Sequence, residues 1–250
     1  MGYRVSLVRK NLKLTFPDKS NDEIESILRK FYQNFFDLVF ETVKVLTISK
    51  RQTKKHVVLG DMKALEQYRD KGQSVIISMG HFGNWELGAA RFTLADYPQL
   101  MAVYKPLSNP FFDRMMSKTR TRFGGDVYAM EETLDRMRED KDKLTAVALL
   151  ADQNPSSHNA YWYKLLGRET PVFTGVELLA RRFDYPVIYL RVDRLKRGRY
   201  QLNCEVLSDK PTETSKYEIT HEYIHRIERD ILARPEEWLW THNRWKRTKD

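Results

Sequence analysis

Short, continuous apolar runs separated by amphipathic segments restrict the fold of this chain more than any other feature. The clearest runs are Ser74–Met79, Leu144–Ala151 and Val187–Val192, and each is far shorter than the ~20 residues needed to cross a bilayer. Strands that are apolar on both faces are typical of parallel sheets with helices on both sides. The sequence therefore predicts an α/β fold with a mainly parallel central sheet flanked by helices, and no Pro/Gly/Ser-rich linker divides the single domain expected over 1–250.

Between these strands the spacing of apolar residues predicts helices and two weaker strands. The helices are expected at Asn84–Ala95, Pro110–Phe123, Ala129–Glu139, Phe173–Phe183 and Glu218–Ala233. The further strands are expected at Leu100–Tyr104 and Tyr200–Leu207, the second at an edge of the sheet, and a polar loop is expected over Asp152–Thr170.

An amphipathic helix is predicted near the N-terminus, over Asn21 to about Leu46, where apolar residues recur at three-to-four spacing. Ser20 followed by Glu23 has the form of a capping box. More than half of the helix circumference is apolar, and the basic stretch Lys50–Lys55 follows. This pattern has two alternative explanations: core packing, or an apolar patch that faces a bilayer beside the basic residues. We therefore interpret residues 1–60 as an N-terminal helical, membrane-proximal part.

The chain carries 43 Lys and Arg against 34 Asp and Glu, a net charge of +9. This balance favours a polyanionic partner, whether nucleic acid, an anionic membrane surface or a phosphate-bearing substrate. Cys204 is the only cysteine, so the sequence excludes an internal disulfide and a cysteine-based zinc site.

Candidate chemistry follows the first apolar strand, in the segment Gly80–Glu86. The carboxyl ends of parallel strands are where such sheets place their sites. His81 is suited to proton transfer near neutral pH, and Glu86 follows it five positions later, an HX4E pattern. Residues five apart on one helix point about 140° apart, so the two can meet only if His81 precedes the helix and Gly83 lets the chain turn back. We interpret the pair as a His–Glu dyad that deprotonates a hydroxyl; a metal site fits less well because no third ligand has a suitable spacing.

These residues resemble the bacterial lipid A acyltransferases, within the glycerolipid-acyltransferase-like group. The Gly80–Glu86 block is similar to the family's histidine–acid motif, and further blocks resemble the family in the same order over nearly the whole chain. They are Arg9–Leu12 with Phe16-Pro17, Tyr104–Pro110 with Arg122 and Gly125 downstream, Asp152-Gln153, Thr170–Phe173, and the tryptophan-rich Pro235–Lys246.

The resemblance implies transfer of a fatty acyl group from a thioester, usually on acyl carrier protein, to a hydroxyl of a lipid A precursor. It implies His81 as general base and Glu86 as its orienting partner, with no metal and no cofactor beyond the thioester co-substrate. Family members usually begin with a hydrophobic anchor, which this chain as given lacks. A peripheral location on the cytoplasmic face of the inner membrane, against anionic lipid, is therefore expected, with no nucleic-acid partner.

Other residues are candidates for binding substrate. Backbone N–H groups at Gly83 and Asn84 could stabilise an oxyanion at a helix N-terminus. Asp152 and Gln153 end the most apolar strand, so they should reach the active face, where a structural or acceptor-positioning role is expected. Cationic side chains for substrate phosphates are expected among five residues: Lys105, Arg120, Arg122, Lys164 and Arg168.

Three alternatives remain open from the sequence. The acceptor could be a glycerolipid or an amino-acid lipid, and the donor coenzyme A. The same His–Glu pair could act on water as a hydrolase. The chain could also be a basic module that binds phospholipid or nucleic acid without catalysis, although no nucleic-acid recognition module accompanies the C-terminal Trp cluster.

Overall fold

A computed structural model describes residues 2–155 and 160–247. Its central sheet has seven strands in the order β1-β9-β8-β2-β5-β3-β4, and only the β8–β9 pair is antiparallel. A separate antiparallel hairpin, β6–β7, follows β5. The strands are β1 Val57–Leu59, β2 Val75–Met79, β3 Gln99–Tyr104, β4 Asp126–Ala129, β5 Thr145–Leu150, β6 Tyr161–Leu165, β7 Arg168–Val172, β8 Val187–Lys196 and β9 Arg199–Ser208. The predicted mainly parallel α/β fold is confirmed.

Nine α-helices occur in the described part of the chain, along with short 3₁₀ turns. They are α1 Val5–Thr15, α2 Asn21–Val45, α3 Lys50–His56, α4 Lys63–Asp70, α5 Trp85–Phe92, α6 Pro110–Thr121, α7 Thr133–Glu139, α8 Gly175–Phe183 and α9 Glu218–Ala233. None of the helices described here has the length and apolarity needed to span a membrane.

The core lies on both faces of the sheet because successive side chains of a strand point to opposite sides. Ile76 and Ile77 of β2 are each 0% exposed but belong to different apolar clusters. The Ile76 cluster packs against α1, α2, α8 and α9, whereas the Ile77 cluster packs against α4 and α5. The central strand β2 is therefore covered on both faces. Its carboxyl end leads into the loop that precedes α5.

Helix α2 begins at the predicted capping box, in which Ser20 and Glu23 cap each other's backbone N–H groups. Ile24, Leu28 and Phe31 bury one face of the helix. The opposite stripe stays exposed and contains Phe36, Val39, Phe40 and Val43. Core packing and an exposed apolar patch therefore coexist on the same helix.

Two local expectations are wrong. Strand β9 does not lie at the sheet edge, because β1 pairs outside it, with Val57 opposite Tyr200. The loop expected over Asp152–Thr170 contains the β6–β7 hairpin from Tyr161 onward, while its residues 156–159 lie outside the described part.

Candidate active site

The backbone after β2 is shaped to present one side chain at the end of the sheet. Gly83 adopts a φ of +60°, and a Cβ there would lie 2.3 Å from the carbonyl oxygen of Val192, so only glycine fits. Asn84 then starts α5 by accepting a hydrogen bond from Leu87 N at 2.9 Å. This turn places His81 before the helix, at the carboxyl end of β2.

The imidazole of His81 is paired with Asp152. Its Nδ1 lies 2.6 Å from Asp152 Oδ1, and the His81 backbone N–H donates to Asp152 Oδ2 at 2.9 Å. The indole N–H of Trp238 donates to the same Oδ2 at 2.8 Å. Strand register explains the pairing: Met79 lies opposite Leu150 in the β2–β5 ladder, and His81 and Asp152 each follow two residues later.

Asp152 is ionised in this setting. Only 3% of the residue is exposed, and burial alone would raise its pKa. The attraction of His81 and the hydrogen bonds from His81 and Trp238 outweigh that cost and lower the pKa of Asp152 to about 2. An ionised carboxylate can only accept hydrogen bonds, so the proton of neutral His81 must lie on Nδ1.

The second ring nitrogen of His81 is thereby left as an acceptor. Its Nε2 lies 3.3 Å from the side-chain nitrogen of Gln153, which can donate to it. The ring packs edge-on against Trp85, with centroids 5.0 Å apart, and 18% of the His81 side chain is exposed. The imidazole is therefore held by three neighbours and keeps a lone pair available to a substrate proton.

Glu86 is paired with Arg120 and not with His81, contrary to the dyad predicted from the sequence. It lies on the first turn of α5, points toward α6 and binds Arg120 through two hydrogen bonds of 2.5 and 3.1 Å. Burial alone would lower the pKa of Arg120, but the Glu86 carboxylate more than compensates and raises it. The two therefore form a buried ion pair next to His81 rather than a dyad with it.

A cavity of about 800 Å³ lies in front of these groups. It is within the range of ligand pockets and is lined mainly by apolar side chains of β2, β3, β5, α5 and α6. Five of the predicted site residues line it: His81, Glu86, Lys105, Arg120 and Gln153. An apolar chamber with a few convergent polar groups suits a substrate that has a hydrocarbon chain and a reactive polar end.

The remaining predicted residues lie elsewhere. The Gly83 N–H donates to the carbonyl of Glu237 at 3.2 Å, and Asn84 is 0% exposed, with its amide donating to Glu41. Arg122 donates to the backbone carbonyls of Val45 and Ile48 at the end of α2.

Lys164 and Arg168 belong to the β6–β7 hairpin rather than to the cavity wall. The Arg168 guanidinium lies 4.1 Å from the ring centroid of Trp245, and burial lowers its pKa. The structure therefore does not place either side chain at His81.

Sequence reasoning missed the C-terminal segment as part of the site. Trp238 holds Asp152, the Leu239 N–H donates to the His81 carbonyl at 3.1 Å, and Leu239 lines the cavity. Arg244 is 1% exposed and donates to Asn154 and to the carbonyl of Pro171. The tryptophan-rich pattern of Pro235–Lys246 was the available signal in the sequence.

Within the described ranges, no cluster of three or more His, Cys, Asp or Glu side chains could hold a metal ion. His81, oriented by Asp152 and facing the cavity, is arranged to take a proton from a hydroxyl.

Comparison with known proteins places this chain in a family. The family model described as bacterial lipid A biosynthesis acyltransferase matches residues 2–247. A lipid A biosynthesis acyltransferase of Haemophilus influenzae is 22% identical over 96% of this chain and 75% of its own length. The lipid A biosynthesis lauroyltransferase and palmitoleoyltransferase of Escherichia coli are 24% and 22% identical, over 98% and 97% of this chain and 80% and 79% of theirs. The chain therefore belongs to the bacterial lipid A biosynthesis acyltransferase family and is an enzyme of the acyltransferase type.

Proposed function

We propose that this enzyme transfers a fatty acyl group from a thioester donor to a hydroxyl of a lipid A precursor. The observation that carries the proposal is the His81 imidazole, which binds a buried, ionised Asp152 through Nδ1 and faces a largely apolar cavity of about 800 Å³. The family membership supports the acceptor class, and the cavity has room for a fatty chain.

In the proposed reaction, His81 Nε2 takes the proton of the acceptor hydroxyl as its oxygen attacks the thioester carbonyl carbon. The new C–O bond forms a tetrahedral oxyanion. Its collapse breaks the C–S bond, and the imidazolium returns the proton to the departing thiolate, so the products are an ester and a free thiol. Asp152 keeps the proton of neutral His81 on Nδ1 and stabilises the imidazolium formed midway. No covalent enzyme intermediate is required.

Gln153 is the best placed side chain to stabilise the oxyanion. Its amide nitrogen lies 3.3 Å from His81 Nε2, at the position that an acceptor hydroxyl must occupy during proton transfer. Once the hydroxyl takes that place, the Gln153 N–H₂ group is free beside the reacting carbonyl. Such a preorganised donor is typically worth 10²–10³-fold in rate.

Glu86 and Arg120 have a different proposed task from the one the sequence suggested. Their ion pair forms part of the cavity wall, so Glu86 fixes the Arg120 guanidinium there through two hydrogen bonds. We assign Arg120 and the exposed Lys105 to the anionic groups of donor or acceptor, since both side chains line the cavity.

The proposed donor is acyl carrier protein, and the proposed location is the cytoplasmic face of the inner membrane. The exposed apolar stripe of α2, from Phe36 to Val43, supports contact with an anionic bilayer because Lys50, Arg51, Lys54 and Lys55 lie exposed just beyond it.

The direct test is to incubate the protein with acyl–carrier-protein thioester and a lipid A precursor and to analyse the lipids by mass spectrometry. The proposal predicts an acceptor heavier by one acyl group, made by the wild type and lost in a folded His81→Ala variant. Release of free fatty acid without acylated lipid would show a hydrolase instead.

A further inference from the structure

The loop between β3 and α6, with the first turn of α6, exposes an unusual set of side chains. Every residue from Lys105 to Phe112 is exposed, and this segment is termed the 105–112 tip. Its large apolar side chains are Leu107, Phe111 and Phe112, which are 48%, 64% and 50% exposed. Three such side chains lie exposed within six residues, and exposed apolar side chains that cluster in this way mark interaction sites on soluble proteins.

The tip is held in this exposed form by its own hydrogen bonds. Asn109 Oδ1 accepts from the backbone N–H groups of Phe111 and Phe112 at 2.9 and 3.4 Å, capping α6. Asp113 Oδ1 accepts from Leu107 N at 2.8 Å. The two phenyl rings pack edge to face with centroids 5.5 Å apart. The helix cap and the packing of the two rings therefore hold the apolar side chains in a defined conformation.

Unpaired positive charge borders the tip. Lys105, Arg114 and Lys118 are exposed, and none of them forms an ion pair with any residue of 2–155 or 160–247. Asp113 is the only acidic residue between 104 and 118, and its carboxylate is engaged by the Leu107 N–H. Exposed apolar side chains beside exposed, unpaired cations are complementary to the acyl chains and headgroups of an anionic bilayer.

The tip also lies at the entrance of the active-site cavity. Lys105, Pro106, Leu107 and Ser108 belong both to the tip and to the wall of the cavity that holds His81. An amphiphilic acceptor resides in a bilayer, and its acylated product must return there. Contact of the tip with the bilayer would let the acceptor enter the cavity, and the acylated product leave it, along an apolar path that avoids water.

We propose that the 105–112 tip inserts into the interface of an anionic lipid bilayer and joins the entrance of the active-site cavity to the membrane. Leu107, Phe111 and Phe112 enter the acyl boundary, while Arg114 and Lys118 bind headgroups. This surface differs from the α2 stripe, and the part of the inference that concerns acceptor entry rests on the proposed function.

The first test is flotation with phosphatidylcholine vesicles that contain or lack phosphatidylglycerol. The tip variant is Phe111→Ser with Phe112→Ser, which leaves the cavity-lining Leu107 unchanged. The matched control is Leu178→Ser with Leu232→Ser, two leucines that are 65% and 53% exposed. The tip variant should lose about tenfold or more in affinity for the anionic vesicles, and the control less than about twofold. Equal binding by the tip variant and the wild type would overturn the inference.

Insertion itself is tested with an environment-sensitive dye on Phe111→Cys in a Cys204→Ser background, with Leu178→Cys as the control position. Anionic vesicles should shift the dye emission to the blue at position 111, and brominated lipid should quench it there but not at position 178. Bound protein without a shift at position 111 would contradict insertion.

The charged rim is tested separately with Arg114→Gln and Lys118→Gln together. This variant should lose part of the preference for phosphatidylglycerol and some of its salt dependence. Weakened binding to acyl carrier protein with unchanged vesicle binding would overturn the inference in favour of a protein-docking surface.

A last experiment compares the rate of acyl transfer to acceptor presented in vesicles with the rate to acceptor presented in detergent micelles. The tip variant should acylate much less in vesicles and should match the wild type in micelles. Equal loss in both would contradict a membrane role. If the wild type acylates in neither, the proposed function fails, while the flotation and dye results still decide the inference.

Discussion

At the scale of single residues, the site depends on which nitrogen of His81 carries the proton. Asp152 Oδ1 accepts a hydrogen bond from the Nδ1–H of His81, while Oδ2 accepts from the His81 backbone N–H and from Trp238. Both carboxylate oxygens of Asp152 therefore accept hydrogen bonds. These bonds fix the orientation of the carboxylate and keep it ionised.

Asp152→Asn tests this assignment. An asparagine would keep its oxygen toward the two N–H donors, so its NH₂ group would face Nδ1 and force the proton onto Nε2. The kcat should fall by about 10³–10⁴-fold with a nearly unchanged KM, because the wrong tautomer cannot act as a base. Steady-state kinetics and thermal unfolding measure both effects. Asp140→Asn, at another buried aspartate (hydrogen bonded to Tyr128), is the control and should retain activity; equal kinetics for the two variants would refute the role of Asp152.

Glu237 provides a prediction on stability. Burial raises the pKa of its carboxyl group from 4.5 to about 7, although the Arg234 guanidinium, 3.6 Å from its Oε2, acts in the opposite direction. Between these two pKa values the folded protein binds more protons than the unfolded chain, so this group's contribution to stability falls as pH rises from about 4.5 to about 7. Glu237→Gln removes that loss. Its melting temperature relative to the wild type should therefore be higher at pH 8 than at pH 5; a pH-independent difference would contradict the buried, protonated carboxyl.

At the scale of elements, the N-terminus of α5 connects the catalytic loop to α2. The Asn84 side chain accepts from Leu87 N, and its amide donates to Glu41 Oε2 at 2.6 Å. Tyr200 donates to the same Glu41 oxygen. This buried network fixes the direction in which the Gly80–Asn84 turn leaves β2.

Asn84→Ala should destabilise the fold by about 1–2 kcal/mol through loss of the cap and should also lower kcat, because the turn that carries His81 is loosened. Chemical denaturation and kinetics measure the two effects. Ser49→Ala removes the cap of α3, where Ser49 accepts from Gln52 N, at an exposed position. This control should lose similar stability and keep its activity. A parallel loss of activity in both variants would indicate that stability alone is responsible.

Some strands could be predicted from the sequence, whereas strand β1 and the partner of His81 could not. The strands at Ser74–Met79 and Val187–Val192 were visible because a two-sided buried strand is apolar throughout, and the HX4E segment marked where the chain leaves the first of them. Strand β1 was missed because its three residues carry too little pattern. The partner of His81 was misassigned because Asp152 is distant in sequence, and only the register of β2 against β5 brings them together.

At the scale of the whole molecule, the C-terminal segment fastens the catalytic loop to the rest of the fold. Phe82 and Trp238 form a backbone bridge, and Trp240 is 0% exposed in the core. Arg4 donates to the Thr241 carbonyl at 2.7 Å, and Asn34 donates to that of Glu236 at 2.9 Å. Both ends of the described chain therefore support one site.

Trp238→Phe tests whether this segment tunes the chemistry or merely packs. Loss of the indole N–H leaves Asp152 with one hydrogen bond fewer, so the carboxylate that orients the His81 ring is itself less firmly oriented. The kcat should fall by roughly fivefold with a nearly unchanged KM, the effect of one lost hydrogen bond to a charged group. Trp162→Phe on the β6–β7 hairpin is the control and should keep the wild-type kcat, whereas a wild-type kcat in Trp238→Phe would show that Trp238 only packs.

The coupling between His81 and Asp152 is the central claim, and a double-mutant cycle measures it directly. Acyl-transfer rates are compared for the wild type, His81→Ala, Asp152→Asn and the double variant, all checked for folding. If Asp152 acts only through the imidazole, adding Asp152→Asn to His81→Ala should cost almost nothing more. Losses that multiply in the double variant would show that the two residues act independently, and the proposed base would not exist as described.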